Sequence, residues 1–116
     1  MAETSTLEIT TQEMKRVDLI TVSGRVDSST APELEEALQE RLNDGRHNLV
    51  LDLSDVNYLS SAGLRAMVSA LRACKKKGGD VRVANPSERV QEVLELAGLD
   101  ALFESYDDVT LAVGSF

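Results

Sequence analysis

The chain has 116 residues, of which 42% are hydrophobic and 28% charged, and its formal net charge is −8. These values fit one domain spanning residues 1–116, and no apolar run reaches the roughly 20 residues that a transmembrane helix needs. The acidic balance weighs against nucleic acid as a partner, because binding to phosphates needs a basic surface. A single cysteine, Cys74, excludes an internal disulfide, and the N-terminus lacks a secretory signal pattern. We therefore expect a soluble, cytoplasmic protein that is not inserted in a membrane.

The first third of the chain predicts two strands and a helix. Residues 7–14 and 17–23 are rich in β-prone side chains and are separated by two basic residues, which predicts an antiparallel hairpin. A loop from Gly24 to Thr30 is predicted to follow. The sequence TAPE at 30–33 has the form of a capping box with proline near the helix start, and Gly45 marks the helix end. The inner face of this helix is predicted to consist of Leu34, Ala37, Leu38, Arg41 and Leu42.

The middle of the chain holds its most strongly patterned stretch. Residues 47–54 contain a nearly unbroken aliphatic run, typical of a strand buried on both faces in a parallel sheet. A polar loop from Ser54 to Leu59 is predicted next, and a helix from Ser61 to Lys77 follows it. Apolar residues at helical spacing predict its buried face, consisting of Leu64, Met67, Val68, Leu71 and Cys74.

The last third predicts two more β/α pairs. Residues 80–84 read as a short strand, and the sequence NPSE at 85–88 starts a helix that Gly98 ends. Residues 103–106 are predicted to form a final strand, followed by a closing helix that runs to Val113. Strands that alternate with helices after a hairpin predict an α/β domain with right-handed crossovers. We expect a mixed, mostly parallel sheet of four or five strands with about four helices.

Few side chains offer catalytic chemistry. His47 lies at the start of the central strand, at the opposite end from Ser60 and Ser61, so a serine–histidine pair is not expected. One histidine and one cysteine are too few for a zinc site. Asp52 and Asp55 are predicted to order the loop rather than to act as an acid–base pair. We therefore expect no enzymatic activity, no metal and no cofactor.

Two adjacent serines begin the predicted central helix. A helix N-terminus offers unpaired backbone N–H groups and a partial positive charge, so phosphate on Ser60 or Ser61 would be held locally. If Ser60 is the N-cap, its oxygen accepts hydrogen bonds from the first turn, and Ser61 carries the freer hydroxyl. The loops at 24–30 and 54–61 both leave the carboxyl ends of parallel strands. We expect them to lie side by side.

Three stretches of the sequence resemble one family. DLSDVNYLSSAGL is similar to the signature of the STAS domain of anti-anti-sigma factors, also called anti-sigma factor antagonists. GRVDSSTAPELEEAL resembles the first loop and helix of that family, and VANPSERVQEVLELAGLDALF resembles its third-helix segment. Ser61 falls on the phosphorylatable serine of the signature, whereas Ser60 stands where the family usually has aspartate and Ala62 replaces a hydroxyl residue. The positions that match the signature are Asp52, Ser54, Gly63 and Leu64.

The resemblance implies a single STAS-type domain that switches partners. The unphosphorylated protein would bind an anti-sigma factor that is also a serine kinase and thereby free a sigma factor. Phosphorylation of Ser61 by that kinase, which supplies the ATP and Mg²⁺, would end the binding, and a PP2C-type phosphatase would restore it. No small-molecule substrate is implied. The expected partner-binding residues are Asp27, Ser28, Ser54, Ser60, Ser61 and Gly63.

One alternative stays open from the sequence. The chain would then be a non-phosphorylated STAS scaffold or a subunit of a transport complex. In that case the two serines act only as a helix cap, a role for which serine is preferred in any helix.

Overall fold

The computed structural model of the protein describes residues 7–116, so the first six residues of the predicted domain lie outside the described range. Within that range the chain forms five strands and four helices: β1 (Leu7–Glu13), β2 (Asp18–Val26), α1 (Ala31–Asn43), β3 (Asn48–Leu59), α2 (Ser61–Lys76), β4 (Asp80–Ala84), α3 (Glu88–Leu96), β5 (Ser105–Tyr106) and α4 (Val109–Gly114). The strands form one sheet in the order β1-β2-β3-β4-β5. Only the β1–β2 pair is antiparallel, which confirms the predicted hairpin and mixed α/β sheet.

Strand β3 is buried on both faces, as its aliphatic run predicts. Leu49 and Leu51 face the main core, to which α1, α2 and α3 contribute. Val50 faces the other side of the sheet and packs with Ala84 and Ala112, the latter from α4. All five side chains are fully buried. The sheet therefore lies between a large layer of three helices and a small cover formed by α4.

The predicted loop from Ser54 to Leu59 is wrong, because β3 continues to Leu59. The register with β2 jumps twice: Thr21 pairs with Asp52 but Ser23 with Asp55, and Gly24 pairs with Val56 but Arg25 with Tyr58. At each jump β3 uses one residue more than β2, which is a β-bulge. Buried side chains consequently recur every third residue, at Leu53, Val56 and Leu59. That spacing matches neither an ordinary strand nor a helix, and for this reason the sequence pattern predicts a loop.

Ser87 closes the edge of β3 that β4 leaves uncovered. The pairing of β4 with β3 stops at Asp52. Beyond it, the Ser87 N–H donates to the carbonyl oxygen of Leu53 over 3.4 Å, and the Ser87 hydroxyl donates to that of Val56 over 2.7 Å. The same hydroxyl oxygen accepts from the Val90 N–H and caps α3. Ser87 therefore supplies hydrogen-bond donors to two carbonyl oxygens of the bulged strand and also caps the start of α3.

The predicted capping box at the start of α1 is wrong. Thr30 has helical backbone angles and makes no side-chain cap, because its hydroxyl donates to the carbonyl oxygen of Arg25 over 2.7 Å. Asp27 takes the capping role instead. Its carboxylate accepts from the N–H groups of Ser29 and Thr30, and its carbonyl oxygen accepts from the Ala31 N–H. An acidic side chain at this position also suits the helix dipole.

Two other predicted boundaries differ from the structure. Strand β2 extends through Gly24 to Val26, so the loop before α1 is shorter than predicted. Gly24 has φ of 110°, a conformation that side chains disfavour, and it lies next to the second bulge. The last strand covers Ser105–Tyr106 only, because Phe103 is buried in the main core and does not pair.

The prediction that Arg41 faces inward is confirmed at the end of the sheet opposite the serines. Its guanidinium lies 3.2 Å from the carboxylate of Asp18, which is fully buried. Arg46 approaches the same carboxylate to 2.7 Å, and the hydrogen bond to Asp18 raises the pKa of the Arg46 guanidinium. Two arginines thus neutralise one buried acid where β2 begins and α1 ends.

Candidate docking and modification site

The ends of β2 and β3 meet where α2 begins. Val26 is the register partner of Leu59, and the Ser60 N–H donates to the carbonyl oxygen of Val26 over 2.8 Å. This bond joins the segment that leads into α1 to the segment that leads into α2. The predicted proximity of the two segments is therefore confirmed.

Ser60 and Ser61 occupy different positions at the start of α2. Ser60 has extended backbone angles and is the N-cap, and its hydroxyl oxygen accepts from the Gly63 N–H over 3.2 Å. Ser61 is the first helical residue and is exposed. Its hydroxyl makes no hydrogen bond with any residue in the range 7–116. The geometry thus agrees with the predicted division into a capping serine and a freer one.

Gly63 is a predicted partner-binding residue, and in the structure it has a packing role inside the fold. The residue is buried, and a β-carbon on it would point at the side chains of Val26 and Leu59. Glycine at this position therefore allows α2 to lie close to the ends of β2 and β3. It thereby positions Ser60 and Ser61 at the start of α2.

The loop before α1 is organised by the carboxylate of Asp27. It accepts from the Ser29 hydroxyl over 2.7 Å and from the backbone of Ser29 and Thr30, and it pairs with Arg25 at 3.2 Å. The hydrogen bonds from Ser29 and Thr30, led by the one from the Ser29 hydroxyl, lower the pKa of the Asp27 carboxyl to about 2. The carboxylate is committed to the turn, whereas the neighbouring Ser28 is exposed and its hydroxyl is unbonded in the described chain.

Ser54 lies at the margin of this site. Its N–H and its hydroxyl both donate to Asp52 Oδ1, over 3.2 Å and 3.0 Å. Asp52 therefore has the predicted ordering role, although it orders a bulged strand and not a loop. Ser54 lies six residues before Ser60, a separation of at most about 20 Å along the strand, so it belongs to the side of the candidate site and not to its centre.

Arg25 and Tyr58 adjoin the candidate site, and the sequence did not reveal their contact. The Arg25 guanidinium lies 4.1 Å from the centroid of the Tyr58 ring, and the two residues are register partners. The Arg25 side chain is 51% exposed and Tyr58 is 36% exposed, so both are available to a partner. Their pairing depends on the extension of β2 and β3 past the predicted strand ends. The only hint in the sequence is that an arginine and a tyrosine occur near the ends of two adjoining strands, where a cation–π contact is possible.

A shallow groove of about 180 Å³ runs from this end of the molecule between α1 and α2. Small side chains line most of it, with one acid and one base. Its lining residues are Ser28, Ala31, Pro32, Glu35, Ala62, Arg65, Ala66 and Ser69.

No group of three or more histidine, cysteine or acidic side chains in residues 7–116 is placed to hold a metal ion. No described helix combines the length and the apolarity that crossing a bilayer requires.

The sheet order and the serine-bearing start of α2 define a STAS domain. Residues 8–112 match the STAS domain family model, and the chain belongs to the STAS domain family. It is 32% identical over 96 residues to the anti-sigma-B factor antagonist of Staphylococcus aureus, a match that covers 83% of this chain and 87% of that protein.

Solved structures give the same answer about the fold. An anti-sigma factor antagonist from Mycobacterium paratuberculosis superposes with a TM-score of 0.85 and 29% identity, covering 94% of this chain and 92% of the other. The anti-sigma factor antagonist SpoIIAA in its unphosphorylated form has a TM-score of 0.74 at 16% identity, covering 84% of this chain and 87% of the other. The SpoIIAA likeness concerns the fold alone.

Proposed function

We propose that this chain is an anti-sigma factor antagonist that is regulated by phosphorylation of Ser61. In its unphosphorylated form it binds an anti-sigma factor that is also a serine kinase, and a sigma factor is released. The observation that carries the proposal is the exposed, unbonded hydroxyl of Ser61 directly after a capping serine. The names of the Staphylococcus and Mycobacterium relatives support the antagonist role.

The kinase supplies ATP and Mg²⁺, and this chain supplies only the acceptor. The Ser61 oxygen forms a bond to the γ-phosphorus of ATP as the bond to the β-phosphate oxygen breaks, ADP leaves, and the hydroxyl proton passes to a base of the kinase. A hydroxyl engaged in capping would have to give up that bond first. Ser61 is therefore the better acceptor of the two serines.

The expected free energies support a switch that acts on binding more than on folding. A phosphate adds about −1.5 to −2 charges, and an exposed helix N-terminus stabilises an anion by roughly 0.3 to 1 kcal/mol. The fold should therefore change little. At an interface, juxtaposed like charges cost several kcal/mol, and each 1.4 kcal/mol is about tenfold in affinity. The phosphate thus weakens docking far more than it affects stability, and its removal by a PP2C-type phosphatase restores binding.

The docking surface that we propose is centred on Ser61. Ser28 lines the groove together with Ala62, the residue after Ser61, and Arg25 and Tyr58 extend the surface along the strand ends. Arginine and tyrosine are enriched among the residues that dominate binding energy at interfaces. The Asp27 carboxylate acts by fixing this loop, and Ser54 marks the outer edge.

Phosphosite mapping tests the acceptor. Protein purified from its native cells is measured by intact mass, and recombinant protein is incubated with each anti-sigma factor of the source organism and Mg²⁺-ATP. We expect label on Ser61, no label in Ser61→Ala and full label in Ser69→Ala, an exposed serine two turns further along α2. Label on Ser60, or label that survives Ser61→Ala, would overturn the assignment.

Binding measurements test the switch. Ser61→Ala should bind the anti-sigma factor as tightly as the wild type and stay bound in the presence of ATP, whereas Ser61→Asp should bind at least tenfold more weakly. Equal binding by wild type, Ser61→Asp and phosphorylated protein would contradict the switch. A chain that is never phosphorylated in cells and binds no anti-sigma factor would instead fit the scaffold alternative.

A further inference from the structure

We propose that Arg65 is a built-in ligand for the phosphate on Ser61. This inference rests on the proposed modification of Ser61 and adds a residue of this chain that binds the phosphate. The two residues are four apart on α2, so they are neighbours on one face of the helix. Side chains of a helix lean toward its N-terminus, which directs Arg65 back over Ser61.

Arg65 is exposed and has no competing partner. It forms no ion pair or hydrogen bond within residues 7–116. Arg25, the other cation of this surface, is held by Asp27 and by the Tyr58 ring. The guanidinium of Arg65 is therefore the one near Ser61 that is unengaged before phosphorylation in the described part of the chain.

The charges on α2 itself favour this contact, and the acids that oppose it lie on α1 and in the loop before it. The first turn of α2 contains no acidic residue, so nothing on the helix itself repels a phosphate there. From α1, Glu35 lines the same groove as Arg65, and the Asp27 carboxylate lies in the loop before α1. An anion N-terminal to a cation at this spacing also has the more favourable orientation relative to the helix dipole.

The contact would change the phosphate itself. A guanidinium binds phosphate through two parallel N–H donors, which fixes the phosphate against the helix and favours its doubly charged form. A lowered second pKa gives the modified protein more negative charge near neutral pH. Arg65 therefore sharpens the difference between the two states of the surface.

The test uses full-length protein with phosphoserine installed at position 61 by genetic-code expansion, so that no kinase is required. Phosphorus NMR against pH gives the second pKa of the phosphate, which is about 6 for phosphoserine in general. We expect this pKa to rise by about 0.3 in Arg65→Gln and by less in Arg65→Lys, which keeps the charge without the planar donors. Arg72→Gln is the matched control, because Arg72 is exposed on the same helix about 16 Å beyond Ser61 along the helix axis.

Two outcomes would overturn the proposal. The first is an unchanged phosphate pKa in Arg65→Gln, and the second is an equal change in Arg72→Gln, which would indicate a general effect of net charge. A melting experiment adds an independent readout. Phosphoserine at position 61 should give a higher melting temperature, relative to the unmodified protein, in wild type than in Arg65→Gln. Because the phosphate is installed without a kinase, failure of the mapping experiment on Ser61 and failure of this one are separate results.

Discussion

Val26 packs so closely on Gly63 that a β-carbon added to residue 63 would lie 2.6 Å from Val26 Cγ1. The same β-carbon would lie 2.7 Å from Leu59 Cδ1. Both neighbours are buried at the ends of β2 and β3 and cannot move aside freely. Helix α2, which carries the two serines, can therefore lie this close to the sheet only because residue 63 has no side chain.

Gly63→Ala should therefore destabilise the fold, although alanine is the better helix former. We expect a loss of about 1 to 3 kcal/mol in the free energy of unfolding, the usual cost of an extra methyl in a packed core. Urea unfolding measures it. Gly114→Ala is the control, because a β-carbon there meets nothing within 4 Å. Equal stability of the two variants would contradict the packing argument.

Ser60→Ala and Ser61→Ala should separate capping from modification. Loss of the Ser60 cap is expected to cost about 0.5 to 2 kcal/mol, while Ser61→Ala should stay within about 0.5 kcal/mol of wild type. Ser60→Ala should still be phosphorylated on Ser61. The measurements are urea unfolding and phosphosite mapping. A larger loss of stability in Ser61→Ala than in Ser60→Ala would reverse the two roles.

The Asp27 carboxyl should make stability depend on pH in the acid range. Its pKa is about 2 in the fold against an ordinary 3.8, so the ionised group stabilises the protein fully above about 3.8. That stabilisation is lost as the pH falls toward 2. Wild-type unfolding free energy should therefore fall more steeply than that of Asp27→Asn between about pH 5 and pH 2.5. Asp55→Asn, which removes an exposed acid, controls for net charge.

Because the Asp27 carboxylate orders the loop before α1, variants of Asp27 are poor tests of partner binding. A variant such as Asp27→Lys loses the bonds to Ser29 and Thr30 and disturbs the loop, so weaker binding would not identify a contact. Parallel pH profiles for wild type and Asp27→Asn would refute the structural role.

Tyr58→Ala should weaken binding of the anti-sigma factor by roughly tenfold or more if the Arg25–Tyr58 pair is central to docking. Stability should fall by no more than about 1 kcal/mol, because an exposed cation–π contact contributes little. Titration calorimetry with the purified anti-sigma factor measures the affinity. Leu111→Ala is the control, since Leu111 is 56% exposed on α4 and lies outside the proposed surface. Unchanged affinity in Tyr58→Ala would remove the pair from the interface.

Cys74 should be inert in the folded protein. Burial, with a smaller effect of the Asp80 charge, raises the pKa of the thiol from 9.0 to about 11. A thiol pKa that is higher by about two means about a hundredfold less thiolate at neutral pH. Burial also restricts the access of a reagent to the sulfur. A thiol reagent such as Ellman's reagent should therefore react at least a hundredfold more slowly with native protein than with protein in urea. Comparable rates would show that the helix opens readily.

The sequence was sufficient for the order of elements and for the roles of single side chains along one element. The helical spacing of α2, the aliphatic run of β3 and the capping position of Ser60 are local patterns, and each is confirmed. The inward direction of Arg41 also follows from helical spacing alone. These features depend only on neighbours within a turn or two of the chain.

Features that depend on pairing between strands were not predictable in the same way. The bulges of β3 exist because β2 pairs with it at a shifted register, and no local pattern encodes that shift. The Arg25–Tyr58 contact follows from the same pairing. The capping role of Asp27 was missed for another reason, because Thr30 also has a residue type suited to an N-cap and lies directly before α1.

The bulges of β3 give the protein a rigid display of adjacent side chains. In a regular strand successive residues face opposite sides, but Ser54 with Asp55 and Asn57 with Tyr58 are pairs of neighbours that are both exposed. Asp55 and Tyr58 pair with β2, and each of the two bulges lies between residues that are paired. A flexible loop of equal length would have to be ordered on binding, at about 1 to 2 kcal/mol per residue. A partner that docked on this segment would meet a backbone that is already ordered, so the association would not include the cost of ordering a loop.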